Sequence, residues 1–215
     1  RDRSPSRGLG DVYKRQDFNY YREEMINGDA KGAYNMAYCY LNGEGVEQNY
    51  NLGLKYLKVS AGLGYVTAIY KMFCLYNGME INGLIIDKDY SKKIEYAKVL
   101  SSANLLFNVE PEEQKYIYIG KIELAVNYAN SDRPQIEQKK GFIFLKELAD
   151  MGFPDAQYYT ALCYINAIGT NSDYNAAKQY VNKCMYNEKN DVFGNQNSFK
   201  NEASKLSVSY THLTL

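Results

Sequence analysis

Apolar side chains recur along this chain at steps of three and four residues, which is the spacing of one face of an α-helix. In the clearest stretch the apolar positions are Ala33, Met36, Ala37, Tyr40 and Leu41. The glycine-rich segment 42–45 then favours a helix end, because its residues tolerate left-handed backbone. A second helical face follows Asn49, which can cap it, and Asp89 and Asp173 take equivalent capping positions in later repeats. The pattern predicts a helical hairpin.

The hairpin pattern returns along the chain at shifts of 36, 88 and 124 residues, with tyrosines and small residues aligned. The shift of 124 places Tyr34 on Tyr158 and Tyr40 on Tyr164. The agreement between the shifts predicts four repeats. Their predicted boundaries are 28–63, 64–103, 116–151 and 152–187.

Other segments lie outside this regular pattern. Four extra residues fall within 80–87, and an insert of twelve residues, 104–115, precedes the third repeat. The Pro111-Glu112-Glu113 sequence of this insert predicts the start of a helix, because proline is tolerated at the first helical position and acidic residues suit the positive end of the helix dipole. We predict that residues 17–27 are the second helix of a truncated preceding repeat, and that 188–207 form a partial further helix or tail.

The two ends of the chain differ in composition from the repeats. Residues 1–16 and 208–215 resemble translated sequencing-adapter sequence, and we expect both to be non-native artefacts. His212, the one histidine of the chain, falls in the second of them. On this expectation the natural ends are missing, and any signal peptide would have been lost with them.

Small residues occupy helix-interior positions where glycine costs about 1 kcal/mol relative to alanine. One position holds Gly32, Ala68, Gly120 and Ala156, and another holds Gly53, Gly141 and Ala177. We infer that paired helices touch at these positions, with the bulky Tyr40 and Tyr56 beside them. The second repeat has Phe73 and Lys93 instead, so we expect its packing to be the least regular. Because a lone hairpin cannot bury both faces, we predict an all-α fold, an α-solenoid of stacked antiparallel helix pairs.

Composition excludes several classes of function. The chain is 46% hydrophobic with 25 basic and 25 acidic residues, and residues 1–16 carry five of the basic and two of the acidic ones. The remainder is slightly acidic, which disfavours a nucleic-acid partner. We expect no membrane span in this segment, because no run of eighteen apolar residues occurs.

The chemistry of the side chains predicts no catalytic, cofactor or metal site. With His212 set aside, no imidazole is present for a nucleophile pair or a metal. The four cysteines are Cys39, Cys74, Cys163 and Cys184. They lack Cys-x-x-Cys spacing, and we expect small buried thiols. Reduced thiols slightly favour a cytoplasmic location, although the sequence leaves localisation open.

These residues resemble the Sel1-like repeat (SLR) family, which is related to tetratricopeptide repeats. Gly28-Asp29, Tyr40, Gly43, Gly45-Val46 and Tyr56 match the family pattern, which has a Gly-x-Gly-Val loop between its helices. Met36-Ala37 replaces the usual Leu-Gly, and the loop signature is intact only in the first repeat. The resemblance covers residues 20–187 and implies about four repeats in a right-handed superhelix.

The resemblance implies that the first helix of each repeat lines a concave wall where a partner binds. Matched to the family position by position, the residues expected on this wall are Lys31, Tyr34, Tyr38, Asn42, Thr67, Tyr70, Asn130, Asp155, Tyr158 and Asn166. Tyrosine suits such a wall because it combines a broad ring with a hydroxyl group. The alternative is that the tyrosines pack between repeats and the asparagines only end helices.

We therefore predict a non-enzymatic scaffold that binds a protein or peptide of unknown identity, without a cofactor. The alternative is a divergent β-lactam-binding or β-lactam-hydrolysing protein. The resemblance suggests that alternative because a cysteine-rich branch of the family, with a disulfide in each repeat, includes such proteins. A third hypothesis is an array that supports a catalytic or membrane segment beyond the observed ends.

Overall fold

The computed structural model describes residues 5–188 and 198–211 of the 215-residue chain. Within these residues the regular secondary structure is helical, with one isolated bridge between Ile81 and Leu84, and loops connect the helices. It divides into two compact units, which meet in sequence between Tyr116 and Ile117. Each unit is described by itself below.

The first unit contains the helices α1 (Pro5–Ile26), α2 (Ala30–Asn42), α3 (Tyr50–Gly62), α4 (Val66–Tyr76), α5 (Tyr90–Ser101) and α6 (Ala103–Leu106), and a 3-10 turn (Pro111–Glu113). Helix α7 (Gln114–Tyr128) begins in this unit and continues into the second. The second unit contains α8 (Gln135–Asp150), α9 (Pro154–Asn166), α10 (Tyr174–Met185) and α11 (Ser198–Thr211). Consecutive helices pack as pairs in each unit. This arrangement confirms the predicted all-α class.

Asx caps begin the second helices of three hairpins. The side-chain oxygens of Asn49, Asp89 and Asp173 accept hydrogen bonds from backbone N–H groups in the first turns of α3, α5 and α10. Each bond satisfies a donor that the helix itself leaves without a partner. The cap predicted at Asn49 and those at its repeat equivalents are therefore confirmed.

Helix α1 is longer than the sequence pattern predicts. It begins at Pro5, whereas we expected the helix to start at residue 17. The backbone of α1 at Lys14 lies against Gly45, where a Cβ atom would collide with the Lys14 carbonyl group. A contact made by backbone needs no apolar side chains, which is why hydrophobic periodicity did not reveal this part of the helix.

The C-terminal helix also crosses a predicted boundary. Helix α11 continues to Thr211 and so includes the first residues of the segment 208–215. It packs on α10 and α9 within the second unit, with Ala203 fully buried and Phe199 and Leu206 partly buried. The predicted artefact at residues 1–4 and His212 lie outside the described residues.

Close helix contacts occur where the sequence has small residues. A Cβ atom at Gly32 would lie 2.6 Å from the Cβ of Glu24, and one at Gly141 would collide with the backbone at Ala129. Gly53 packs against the side chain of Leu41. The contact role predicted for these three positions is confirmed, because each site lacks room for a side chain.

The second repeat replaces the small pair with a bulky one. Phe73 is 1% exposed, and the ammonium group of Lys93 lies 5.5 Å from the centre of its ring. These residues occupy the positions of Ala37 and Gly53 in the first repeat. Here a cation–π contact takes the place of the close backbone approach.

Stacked aromatic rings join the helices of the hairpins. Tyr40 stacks on Tyr56 at 5.5 Å between ring centres, and Tyr164 stacks on Tyr180 at 6.0 Å. A phenylalanine then meets the first tyrosine edge-on in each unit, since Phe18 contacts Tyr40 and Phe142 contacts Tyr164. The tyrosines therefore fill the space beside the small residues, as predicted.

Candidate functional site

Two of the predicted tyrosines line a cleft in the first unit. Tyr34 and Tyr38 lie on α2, and Tyr38 is 43% exposed. They share the cleft with Lys71 of α4 and with Ile81 and Asn82 of the loop that follows. Ala37, Leu41 and Leu57 form its apolar floor, and its volume is about 100 Å³. Such a cleft can accept one small aliphatic side chain.

Asn42 secures one edge of this cleft. Its side-chain amide donates to the carbonyl of Tyr38 at 2.9 Å, and its side-chain oxygen accepts a hydrogen bond from the amide of Asn82 at 3.0 Å. Asn82 has a φ of 50° and precedes Gly83, whose φ is 81°. Both values belong to the left-handed region that an Asn-Gly turn adopts at low cost.

Ile81 and Asn82 contribute to this cleft although the repeat pattern did not predict it. The available signal was the Asn82-Gly83 pair inside the four extra residues, which is typical of a tight turn. The turn folds its neighbours back onto α2, where Ile81 and Asn82 line the cleft. An insertion that counted as an irregularity in the repeat therefore supplies part of the site.

Thr67 and Tyr70 do not join the cleft, because Glu113 of the insert binds Thr67 and Tyr116, in the first turn of α7, packs on Tyr70. The carboxylate of Glu113 accepts hydrogen bonds from the backbone N–H of Thr67 at 2.9 Å and from its hydroxyl at 2.6 Å. Tyr70 stacks on Tyr116 with 4.1 Å between ring centres. Burial is the main cause that raises the pKa of Tyr70, and a hydrogen bond to Cys74 raises it further. For Tyr70 the packing alternative describes the structure.

The remaining predicted residues of α2 and the second unit lie in different environments. Lys31 is exposed at the first turn of α2. Asp155 is fully buried, so its side chain does not reach a partner at the surface. This burial removes Asp155 from the partner-binding set. Tyr158 packs between Tyr159 and Phe199 at 5.4 and 5.6 Å.

Asn130 and Asn166 are exposed at the ends of α7 and α9. The side-chain oxygen of Asn130 accepts a hydrogen bond from the backbone N–H of Asp132 at 3.0 Å. Asn166 is the last residue of α9, and Ala167 follows it in left-handed conformation. These two positions therefore end helices within the second unit.

The thiols are buried and protonated at neutral pH. Burial raises the pKa of Cys39 to about 11, of Cys163 to about 12 and of Cys184 to about 11. All four cysteines are free of disulfides. A thiol with a raised pKa is a poor nucleophile and a poor metal ligand. Among the described residues no cluster of histidine, cysteine or acidic side chains is arranged to hold a metal ion.

Stacked helical hairpins of this kind define a helical-repeat protein of the α-solenoid class. The Sel1 repeat family matches residues 30–65 and 154–183. One matched segment lies in each unit, and the match agrees with the resemblance seen in the sequence. No helix in the described residues is long and apolar enough to cross a membrane.

Two solved structures are similar to this chain. A Sel1 repeat protein from Oxalobacter formigenes has a TM-score of 0.53 and 18% identity, over 90% of this chain and 49% of that chain. A protective antigen of uropathogenic Escherichia coli that displays an SLR fold has a TM-score of 0.42 and 19% identity, over 80% of this chain and 41% of its own. This chain spans about half the length of the Oxalobacter protein, and that similarity concerns the fold.

Proposed function

We propose that this chain is a non-enzymatic scaffold that binds a peptide segment, and that the cleft of the first unit is one of its binding sites. The observation that carries the proposal is the grouping of Tyr34, Tyr38 and Lys71 over an apolar floor. The two tyrosines belong to the first helix of one hairpin and Lys71 to the first helix of the next.

The chemistry of the cleft supports peptide binding. The exposed ring of Tyr38 provides apolar contact area with few rotamers to restrict on binding. The Tyr34 ring is held in place because it packs edge-on against Tyr65 at 5.1 Å. Lys71 adds a positive charge at the cleft, which favours a peptide with an acidic residue near the bound aliphatic side chain.

The cysteines favour this proposal over the β-lactam alternative. That alternative rests on a branch of the family with a disulfide in each repeat, whereas the four thiols here are buried and free. The raised pKa values also leave these thiols without the thiolate that a nucleophile requires. The cysteines of this chain therefore lack the two features on which the β-lactam alternative depends.

Selection of a random heptapeptide display library on the immobilised protein tests the proposal. Peptides that bind the cleft should lose affinity about tenfold when Tyr38 is replaced by alanine, which corresponds to about 1.4 kcal/mol. Tyr174→Ala is the matched control, since Tyr174 is similarly exposed at 53%, lies in the second unit and does not line the cleft. Failure to recover any peptide sensitive to Tyr38→Ala would contradict the cleft assignment, and nitrocefin turnover would contradict the non-enzymatic role.

A further inference from the structure

A second and larger groove lies in the second unit, away from the residues that the repeat family pointed to. It runs between the beginning of α8 and the loop 167–171, and its volume is about 480 Å³. Phe142 and Ile143 provide apolar lining, and Gln135, Lys139 and Asn171 provide polar lining. A groove of this size can hold several residues of an extended peptide, whereas the cleft of the first unit holds one side chain.

The loop that forms one wall of the groove is held against α8 by a backbone contact. Gly169 has a φ of 70°, and a Cβ atom there would collide with the carbonyl group of Gln138. The side-chain amide of Gln138 donates to the carbonyls of Ser131 and Arg133 at 3.0 and 2.7 Å. Since both walls are fixed by these contacts, the groove exists before any ligand arrives, which reduces the entropic cost of binding.

The first unit provides an internal comparison for the groove. Gly45 contacts Lys14 in the same way that Gly169 contacts Gln138, so the shift of 124 residues relates equivalent places in the two structures. That shift places Asn19 on Ile143 and Glu47 on Asn171. At these two positions the first unit has an amide and a carboxylate where the second has an apolar side chain and an amide, while Phe18 and Phe142 correspond.

Charge and exposure identify the kind of ligand. Ile143 is 45% exposed, so an isoleucine side chain faces solvent at a position where the first unit has asparagine. Among the described residues that line the groove, Lys139 is the charged one. A positive charge beside an apolar surface complements a segment that carries an acidic and an apolar side chain.

We propose that this groove binds an extended peptide in which an acidic residue neighbours an aliphatic or aromatic one. The apolar side chain lies on Ile143 and Phe142, and the carboxylate pairs with Lys139. The exposed amides of Gln135 and Asn171 each offer a donor and an acceptor to the peptide backbone. Because this site lies in the second unit, it is independent of the cleft that contains Tyr38.

A random heptapeptide library displayed on phage, selected on the full chain, tests the assignment. We expect enrichment of Asp or Glu next to Leu, Ile or Phe, and a Kd in the micromolar range for the enriched peptides by fluorescence anisotropy. Lys139→Glu should weaken these peptides about tenfold or more, because it reverses the charge in the groove. Ile143→Asn, which introduces the residue of the first unit, should weaken them to a similar extent.

Two control variants test whether the peptides bind in this groove and not elsewhere on the protein. Lys140→Glu changes the same charge on an exposed neighbour that does not line the groove, and it should alter Kd less than about threefold. Tyr38→Ala should leave these peptides unaffected, so that failure of the first cleft and failure of this groove give different results.

The following outcomes would overturn the assignment. One is a selection without acidic enrichment, and another is an equal loss of affinity in Lys139→Glu and Lys140→Glu. A third is a dimer in sedimentation equilibrium that Ile143→Asn dissociates, because the groove would then be occupied by a second copy of the chain. Circular dichroism of each variant checks that the helical content is retained.

Discussion

The two units of this protein build the same hairpin with different accessory segments. In both, a glycine with positive φ touches the backbone of the preceding helix, at Gly45 and Lys14 in one and at Gly169 and Gln138 in the other. The Phe-Tyr-Tyr ring groups also correspond. The accessory segments differ, since the first unit adds the Asn82-Gly83 turn and the insert 104–115, and the second adds α11.

The comparison distinguishes the packed helices of a repeat, which we call its frame, from its binding surface. The frame depends on backbone contacts and ring stacking that recur after 124 residues. The binding surface depends on which segments lie over the first helices. The insert and the first turn of α7 contact Thr67 and Tyr70, and the Asn82-Gly83 turn borders Tyr38 without covering it. Insertions therefore decide which predicted residues remain available to a partner.

The largest expected effect tests the close helix contact in the second unit. Gly141→Leu should destabilise the protein by about 3 kcal/mol, because the new side chain would collide with the backbone of α7 and Ala129. Gly53→Leu should cost less, since the nearest atoms there belong to the Leu41 side chain, which can move. Urea denaturation measures both, and an equal loss would contradict this distinction between the units.

Gly62 provides a matched control for these two substitutions. It lies at the end of α3 with no neighbouring atom within 4 Å of an added Cβ. Gly62→Leu should therefore leave stability unchanged or raise it by up to about 1 kcal/mol, because leucine has the higher helix propensity. Destabilisation by Gly62→Leu would show that introduction of leucine, rather than collision, is responsible for the losses.

The next largest effect distinguishes a packing tyrosine from a surface one. Tyr70→Ala should cost about 2 to 3 kcal/mol, because it removes the stacking on Tyr116 and leaves a cavity under the insert. Tyr38→Ala should change the free energy of unfolding by less than about 0.5 kcal/mol, because its ring is largely exposed. Thermal melting of the two variants checks the contrast, and a similar loss in both would place Tyr38 in the core.

The correspondence of the units can be tested at the glycine loops. Gly45→Ala and Gly169→Ala should each destabilise by about 1 to 2 kcal/mol, because both force a Cβ into a left-handed site and against a backbone carbonyl. Gly28→Ala has the same conformational strain at a φ of 87° but meets no atom within 4 Å, so it should cost less. Clearly unequal losses at Gly45 and Gly169 would break the correspondence.

The smallest effect concerns a surface charge network in the second unit. The pKa of Asp150 is lowered, chiefly by its hydrogen bond from Lys146 and further by one from Tyr180. A lowered pKa stabilises the folded state above the unfolded pKa, and this stability disappears as pH falls through the folded pKa. Asp150→Asn should therefore cost less than about 1 kcal/mol at pH 7, because solvent screens the exposed pair.

The pH and salt dependence of this variant provides the check. The difference in unfolding free energy between wild type and Asp150→Asn should shrink below the folded pKa of Asp150 and also at high salt. A difference that stays constant at all pH values would show that the hydrogen-bond geometry, rather than the charge of Asp150, stabilises the network.

Much of the hairpin frame could be predicted from particular residues. Local signals indicated the caps at Asn49 and its equivalents, because a cap depends on the few residues next to it. The small residues at Gly32 and Gly141 indicated close contacts, because glycine inside a helix requires a compensating reason. The N-terminal half of α1 was not predicted, since its contact with Gly45 involves backbone and leaves no pattern of side chains.

Less of the candidate site could be predicted. Tyr34 and Tyr38 line the cleft, whereas Tyr70, at the repeat equivalent of Tyr34, stacks on Tyr116. The repeat pattern treats Tyr34 and Tyr70 alike, because it records which helix position a residue occupies and not which distant segment lies over it. Asp155 shows the same limit, since a position occupied by exposed Lys31 in the first repeat is fully buried in the fourth.

The sequence by itself determined the helical hairpins, their caps, the small residues at their contacts and their membership of a repeat. These properties depend on neighbours within a few residues or at a constant shift, and they are therefore visible in a linear pattern. Only the tertiary structure decided that the insert and the first turn of α7 contact Thr67 and Tyr70, that the Asn82-Gly83 turn borders a cleft, and that α8 and the loop 167–171 enclose a groove. These contacts join segments whose separation along the chain follows no repeat, so they depend on how the helices pack and not on a pattern in the sequence.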